Sequence, residues 1–178
     1  AGQRVATYTS PHLQHFNERI RLNGRNIADA DLTTHLETVF SANGTSESTF
    51  FELTTAVAFC HFARQQPDWV LLETGLGGRL DATSVVTPRW TLITPIGLDH
   101  QAFLGQTLKA IAAEKAGIFK AGVPALANPG GAEAKAVLLQ RAAALGIPLK
   151  VQGSDYGYTP MPNGDWVFND AAGSLHLP

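Results

Sequence analysis

The chain opens on a short apolar run, Val5-Ala6-Thr7-Tyr8, which predicts a strand over residues 4–9. Ser10-Pro11-His12 breaks it, and a polar segment follows to about Arg19. Ile20-Arg21-Leu22 alternates, and Asn23-Gly24 is a turn signal. From Asp29 or Asp31 onward, Leu32, Leu36, Val39 and Phe40 recur at helical spacing, with acidic residues in the first turn where the helix dipole favours them. Residues 41–48 are small and polar, hence a loop. A second, strongly apolar helix is predicted from Phe50 to Arg64, burying Phe51, Val57, Ala58 and Phe62, with Leu53 close by. Cys60 and His61 lie inside it and are expected in the core, without chemistry. Trp69-Val70-Leu71-Leu72 is continuous rather than alternating, which predicts a fully buried strand.

The same reading gives a second buried strand at residues 91–94, a third at 124–127 and a fourth at 148–151. Helices fall at 107–117 and 132–145, the latter stopped by Gly146. Residues 156–177, aromatic around Pro162-Asn163-Gly164, predict antiparallel hairpins. The alternation is that of an α/β fold: a mainly parallel sheet with helices on both faces over 1–152, and a small antiparallel β tail over 153–178. In such sheets ligands bind beyond the carboxyl ends of the strands, so chemistry is expected just after residues 9, 73, 96 and 127.

Composition narrows this further. With 178 residues and 44% hydrophobic positions, the chain is long and apolar enough for a sizeable core. A net charge of -2 argues against an electrostatically driven nucleic-acid binder. One cysteine excludes an intramolecular disulfide framework and a cysteine-rich zinc site. No apolar run approaches the ~20 residues that span a bilayer. A reduced, cytoplasmic location is expected, with neither nucleic acid nor membrane as partner. The chain begins at Ala1 and runs almost at once into a strand, so it is expected to be a piece of something longer.

The residues at the strand ends are unusual. Ser10 follows the first strand, Glu73 ends the next, and Asp99-His100 follows the third. A hydroxyl, a carboxylate and an imidazole at one sheet edge can ligate a divalent metal. Magnesium takes oxygen ligands and fills its shell with water and phosphate, although imidazole better suits other metals. The alternative is that Glu73 and His100 simply hold loops. Gly75-Leu76-Gly77-Gly78 resembles the start of a dinucleotide fingerprint, but position 80 is Leu and little room remains for a crossover helix. These glycines are expected instead to let the backbone approach a substrate or nucleotide. No G-x-x-x-x-G-K-[ST] phosphate loop occurs in the chain. Lys115 is either a solvated lysine or, buried near a metal, a neutral amine able to take up carbon dioxide. His12 and His15 sit in a polar loop that could close over a site or be simple surface.

Six ordered segments resemble the bacterial bifunctional dihydrofolate synthase/folylpolyglutamate synthase family, within the Mur ligase superfamily. They are Tyr8-Thr9-Ser10-Pro11-His12-Leu13, Phe16-Asn17-Glu18-Arg19-Ile20, Thr49-Phe50-Phe51-Glu52, Glu73 through Thr83, Gly97-Leu98-Asp99-His100, and Glu114 through Phe119. The resemblance implies a partial Mur-ligase central domain over 1–178, with P-loop-type topology. It implies Ser10, Glu73 and His100 as magnesium ligands, and Lys115 as a carbamate-bearing lysine. It also implies Thr49, Phe50, Phe51, Glu52, Leu80, Asp81 and Ala82 as the dihydropteroate-binding residues, with Phe51 packing on the pterin and Asp81 accepting its hydrogen bonds. Residues 10–19 match the family's mobile loop beside the active site. The implied substrates are ATP, L-glutamate and dihydropteroate or folate, joined through an acyl phosphate, in a monomeric parent enzyme. Ser84 departs from the family's usual Asn. The family's ATP loop and its carboxyl-terminal domain have no counterpart in these residues, so the 178 residues alone are expected to be inactive. Three rivals remain: a peptidoglycan-type Mur ligase, a non-catalytic pterin-binding module and a nicotinamide oxidoreductase.

Overall fold

A computed structural model describes residues 2–177. The chain divides into two compact units, Ala1–Leu76 with Asp81–Val85, and Gly77–Leu80 with Val86–Pro178. The chain thus passes between the units on either side of the Gly77–Leu80 stretch.

The first unit holds four strands, β1 (Val5–Tyr8), β2 (Ile20–Leu22), β3 (Arg25–Asn26) and β4 (Trp69–Leu72). Their order in the sheet is β3-β2-β1-β4, with β1 parallel to β4 and antiparallel to β2. The β2–β3 hairpin turns on Asn23 and Gly24, whose φ values of 50° and 75° are those a type I′ turn demands. Two helices follow, α1 (Asp29–Asn43) and α2 (Phe50–Gln65), and pack against each other. The core joins Ala6, Tyr8 and Ile20 to Leu32, Val39, Val57, Ala58 and Phe62.

Two departures from the sequence reading have physical causes. On α1 the buried face is Leu32, His35 and Val39, while Phe40 is 56% exposed. The 3.6-residue period places both His35 and Val39 inward and carries Phe40 round the helix, so an imidazole takes a core position. Strand β4 was expected to be fully buried, but Trp69, Val70 and Leu71 are exposed. It is the edge of its sheet, hydrogen-bonded only to β1 among the described residues, and an edge strand is covered on fewer sides than a central one.

In the second unit β5 (Thr91–Ile93), β6 (Ala125–Ala127) and β7 (Leu149–Val151) form a parallel sheet in that order. The helices are α3 (Gln101–Leu104), α4 (Leu108–Lys115) and α5 (Ala132–Leu145). A single 3-10 turn, Ala116–Ile118, continues α4. Ile111 and Ala112 of α4, Leu138 and Ala142 of α5, and Ile93, Ala125 and Ala127 of the sheet share one core. Helix α5 closes on Gly146 at φ 62°, the left-handed position glycine supplies without strain. Beyond β7, the tail forms β8 (Tyr156–Pro160), β9 (Trp166–Asp170) and β10 (Gly173–Leu177), an antiparallel three-stranded sheet in the order β10-β9-β8. No helix among the described residues is long and apolar enough to cross a membrane.

Candidate functional site

Parallel pairing of β1 with β4 brings their carboxyl ends side by side. Glu73 directly follows β4, and its backbone N–H donates to the Tyr8 carbonyl at 2.9 Å, continuing the ladder. Ser10 lies two residues beyond β1, and its backbone N–H donates to Glu73 Oε2 at 2.9 Å. The hydroxyl-bearing residue and the carboxylate therefore meet at the sheet edge expected for a ligand. Oε1 of Glu73 accepts no hydrogen bond from the described residues, and the side chain is exposed. An oxygen-only, solvent-open pair of this kind fits a hard divalent cation that keeps most of its own water.

The third expected ligand lies in the second unit. His100 caps α3 with a left-handed backbone, φ 51°, and its Nε2 is 3.6 Å from Asp99 Oδ2. Among the described residues no group of three or more His, Cys, Asp or Glu is arranged to hold a metal ion. Lys115 is the last residue of α4 and is half-buried.

The loop from residue 10 to 19 is ordered by one carboxylate. Glu18 accepts the backbone N–H groups of Leu13, Gln14 and His15 at 2.8–3.1 Å. These hydrogen bonds to the charged form, first from Leu13 and then from His15, hold the Glu18 pKa down at about 2. A 3-10 turn, Phe16–Arg19, follows, and neither it nor this staple was read from sequence. The available signal was acidic chemistry three residues after a polar N-cap, the capping-box spacing.

At the start of α2, Thr49 and Glu52 form a reciprocal capping box. The Glu52 N–H donates to Thr49 Oγ1 at 3.2 Å, and Glu52 Oε2 accepts from Thr49 N and Oγ1, both at 2.7 Å. The Thr49 backbone bond, then its hydroxyl, lower the Glu52 pKa. The structure thus shows both residues fixing the helix start that presents Phe50 and Phe51. The ring of Phe51 tilts on Tyr8 at 5.8 Å between centroids and lies over Gly75. A Cβ at Gly75 would sit 2.6 Å from that ring, so this glycine is required by the aromatic packed on it. Buried Tyr8 is anchored in turn: its hydroxyl lies 3.0 Å and 3.2 Å from the Thr54 and Thr55 hydroxyls.

Asp81 is buried and staples the glycine loop. Oδ2 accepts from Gly75 N at 2.7 Å and Leu76 N at 3.1 Å, while Oδ1 accepts from Thr83 N at 2.9 Å and Thr83 Oγ1 at 2.6 Å. A carboxylate offers about four lone-pair sites, so these bonds engage it fully. Ala82 is half-buried in the 3-10 turn that follows, and Leu80 is exposed and belongs to the second unit.

Gly77 and Gly78 of the same loop, and Gly117, likewise lie against protein. A Cβ on Gly78 would meet the Lys115 carbonyl at 2.9 Å, and one on Gly117 would meet Arg79 Cα at 2.4 Å. Arg79 also donates through Nε and Nη2 to Glu114 at 3.1–3.2 Å. The 77–80 stretch is thereby clamped against the end of α4, next to Lys115. Beyond the carboxyl ends of β6 and β7 lies an open cavity of about 270 Å³ bordered by Asn128, Gly130, Lys135 and Gln152. It falls where the fourth strand-end site was expected.

No protein-family model matches the chain. The fold is nevertheless matched in full by solved structures. Escherichia coli FolC in complex with DHPP and ADP superposes with a TM-score of 0.92 at 38% identity, over 100% of this chain and 43% of that one. A bifunctional folylpolyglutamate synthase/dihydrofolate synthase from Yersinia pestis, complexed with AMPPNP and Mn, gives 0.90 at 35% identity over 98% of this chain and 42% of that one. Among curated proteins, the E. coli dihydrofolate synthase/folylpolyglutamate synthase is 38% identical over 179 residues, covering 100% of this chain and 42% of the relative. The Bacillus subtilis protein of the same name is 47% identical over 132 residues, 70% of this chain and 30% of the relative. The fold is Mur-ligase-like, an α/β arrangement with parallel strands and a separate antiparallel three-stranded sheet. Within that class the chain belongs to the dihydrofolate synthase/folylpolyglutamate synthase family. It spans about two-fifths of the length of the E. coli relative, 42%.

Proposed function

We propose that the chain is the metal- and pterin-binding part of an ATP-dependent ligase that joins L-glutamate to dihydropteroate and to folyl-glutamates. The observation that carries this reading is the pairing of Ser10 with Glu73 beside the Thr49–Glu52 helix start, in a fold whose solved relatives bind DHPP with ADP or AMPPNP with Mn. The residues present fit a divalent cation. Ser10 and Glu73 would hold it, with His100 the further ligand that the family resemblance implies. When bound, the ion supplies charge neutralisation to the phosphates of ATP.

The chain's own residues do the rest. Phe51, backed by Tyr8 and Gly75, offers a fixed aromatic face to the pterin, and Phe50, Leu80, Asp81 and Ala82 are the further pterin-binding residues that the family resemblance implies. Thr49 and Glu52 hold the helix start that aims these rings. Orientation is the main contribution: the pterin-linked carboxylate attacks the γ-phosphorus and releases ADP, and the glutamate amine then attacks the acyl phosphate and releases phosphate. Lys115, as the free amine or its carbamate, sits where the clamped 77–80 stretch holds the end of α4. Because the 178 residues contain no phosphate-loop motif, they bind pterin by themselves without turning over ATP. The location is cytoplasmic and the whole enzyme is a monomer.

The test is Glu73→Gln in the complete enzyme. Metal-dependent ligation is expected to fall by at least about a hundredfold, with dihydropteroate affinity nearly unchanged. Equal loss of both would overturn the metal assignment.

A further inference from the structure

Arg19 is a cation left without an anion. It ends the 3-10 turn before β2, is only 9% exposed, and forms no ion pair with a carboxylate of the described residues. The two acidic groups nearest in sequence are engaged elsewhere: Glu18 on three backbone N–H groups, and Asp29 on the Asn17 amide. One of the guanidinium's five N–H donors is used, Nε donating to Nδ1 of His12 at 2.9 Å. The plane is flanked by two aromatics, with Cζ 5.7 Å from the Phe16 ring centre and 5.6 Å from that of Phe50. Rings attract the charge but accept no conventional hydrogen bond, and a buried charge without a hydrogen-bonded counter-ion is costly. Such an arrangement leaves the Nη donors of the fork open to an anion.

The position says which anion. The Arg19 carbonyl accepts the Thr9 N–H at 3.0 Å, immediately before the Ser10–Glu73 pair. Its guanidinium rests against Phe50, inside the Thr49–Glu52 helix start. Arg19 thus adjoins both the metal-ligand pair and the pterin-binding segment. The group that must lie between these in the ligation reaction is the carboxylate at the far end of the pterin-linked substrate. A planar guanidinium takes a carboxylate through two parallel hydrogen bonds, and His12 Nδ1, accepting from the Arg19 Nε–H, pins the orientation of the fork.

We propose that Arg19 is a binding residue for the reacting carboxylate, held ready by His12, Phe16 and Phe50. The assignment rests on the pterin-ligase reading above. It explains why this charge is retained between two aromatics instead of being paired within the chain.

The experiment compares pteroate with its carboxamide, which keeps the pterin and aminobenzoyl rings but not the charge. Binding of each is measured by fluorescence titration to the full chain, as wild type, Arg19→Gln and Arg19→Lys, with circular dichroism as a folding control. Wild type is expected to prefer the carboxylate by about tenfold or more. Arg19→Gln is expected to erase that preference while still binding the amide, and Arg19→Lys to keep only part of it. Wild type binding both compounds equally would overturn the assignment, as would a folded Arg19→Gln that discriminates as before. If Arg19→Gln does not fold, undiminished preference in Arg19→Lys overturns it. Failure of wild type to bind either compound would sink the pterin reading itself, and this assignment with it. Binding of the amide without preference sinks Arg19 alone.

Discussion

Asp81 shows how one side chain can set a loop. Its four accepted hydrogen bonds tie residues 75, 76 and 83 together, so Asp81→Ala would strand three backbone donors and a hydroxyl. A loss of about 2–4 kcal/mol of stability is expected in urea titration, at the upper end because the bonds are charge-assisted. The Thr49 cap is a milder case: Thr49→Ala should cost about 1 kcal/mol, with pterin affinity falling as the helix start frays. Glu18 makes a pH prediction. Its folded pKa of about 2 lies below the ordinary value of 4.5, so the ordering it gives the 10–19 loop is fully present above pH 4.5. That ordering is lost as pH falls from there toward 2, because the denatured loop takes up the proton first. Amide exchange at Leu13 and His15 should rise over that window, and Glu18→Gln should show the rise already at neutral pH.

At the scale of elements, the α1–α2 contact holds a second pH-sensitive feature. The His35 and His61 rings meet at 5.4 Å, and His35 Nε2 and His61 Nδ1 are buried without a hydrogen-bond partner among the described residues. Burial first, then the neighbouring His35 and Arg64, lower the His61 pKa, with Asp31 opposing them. The sign follows: above about pH 6.5, the ordinary imidazole value, neutral His61 packs at no proton cost. As pH drops below that, the unfolded chain binds the proton more readily, so stability declines until the lowered folded pKa is passed. His61→Phe should flatten that acid limb in thermal melts at pH 5–7. The helix itself was legible from its periodicity, and so were Val57, Ala58 and Phe62 as core. The paired imidazoles were not, because residue type alone does not say whether a histidine at a core position has a partner.

For the molecule as a whole, each unit has its own apolar core, built from residues that do not overlap. Leu138, with no exposed surface, lies at the centre of the second core. Leu138→Ala should cost about 2–5 kcal/mol and loosen hydrogen exchange across β5, β6 and β7. The chain spans 42% of the E. coli relative, and Trp69, Val70 and Leu71 present apolar surface along the edge strand β4.

Local pattern determined much of this protein. Helical spacing placed α2, α5 and the start of α1 nearly to the residue, while α1 runs on to Asn43 into the expected loop, and Asn23-Gly24 set the β2–β3 turn, because these elements follow from steric and hydrogen-bonding rules within a few residues. The ordered motifs also pointed to the family that the relatives bear out. What the tertiary structure decided depends on partners far apart in sequence. Parallel pairing of β1 with β4 puts Ser10 on Glu73 across 63 positions. The ring of Phe51 makes Gly75 obligatory, and Arg79 does the same for Gly117, since each glycine is defined by what packs over it. Arg19 reads as one more polar loop residue until the fold surrounds it with Phe16, Phe50 and His12 and leaves its charge unpaired. Sequence spacing cannot show that a charge lacks a counter-ion, because pairing is a property of three-dimensional neighbours.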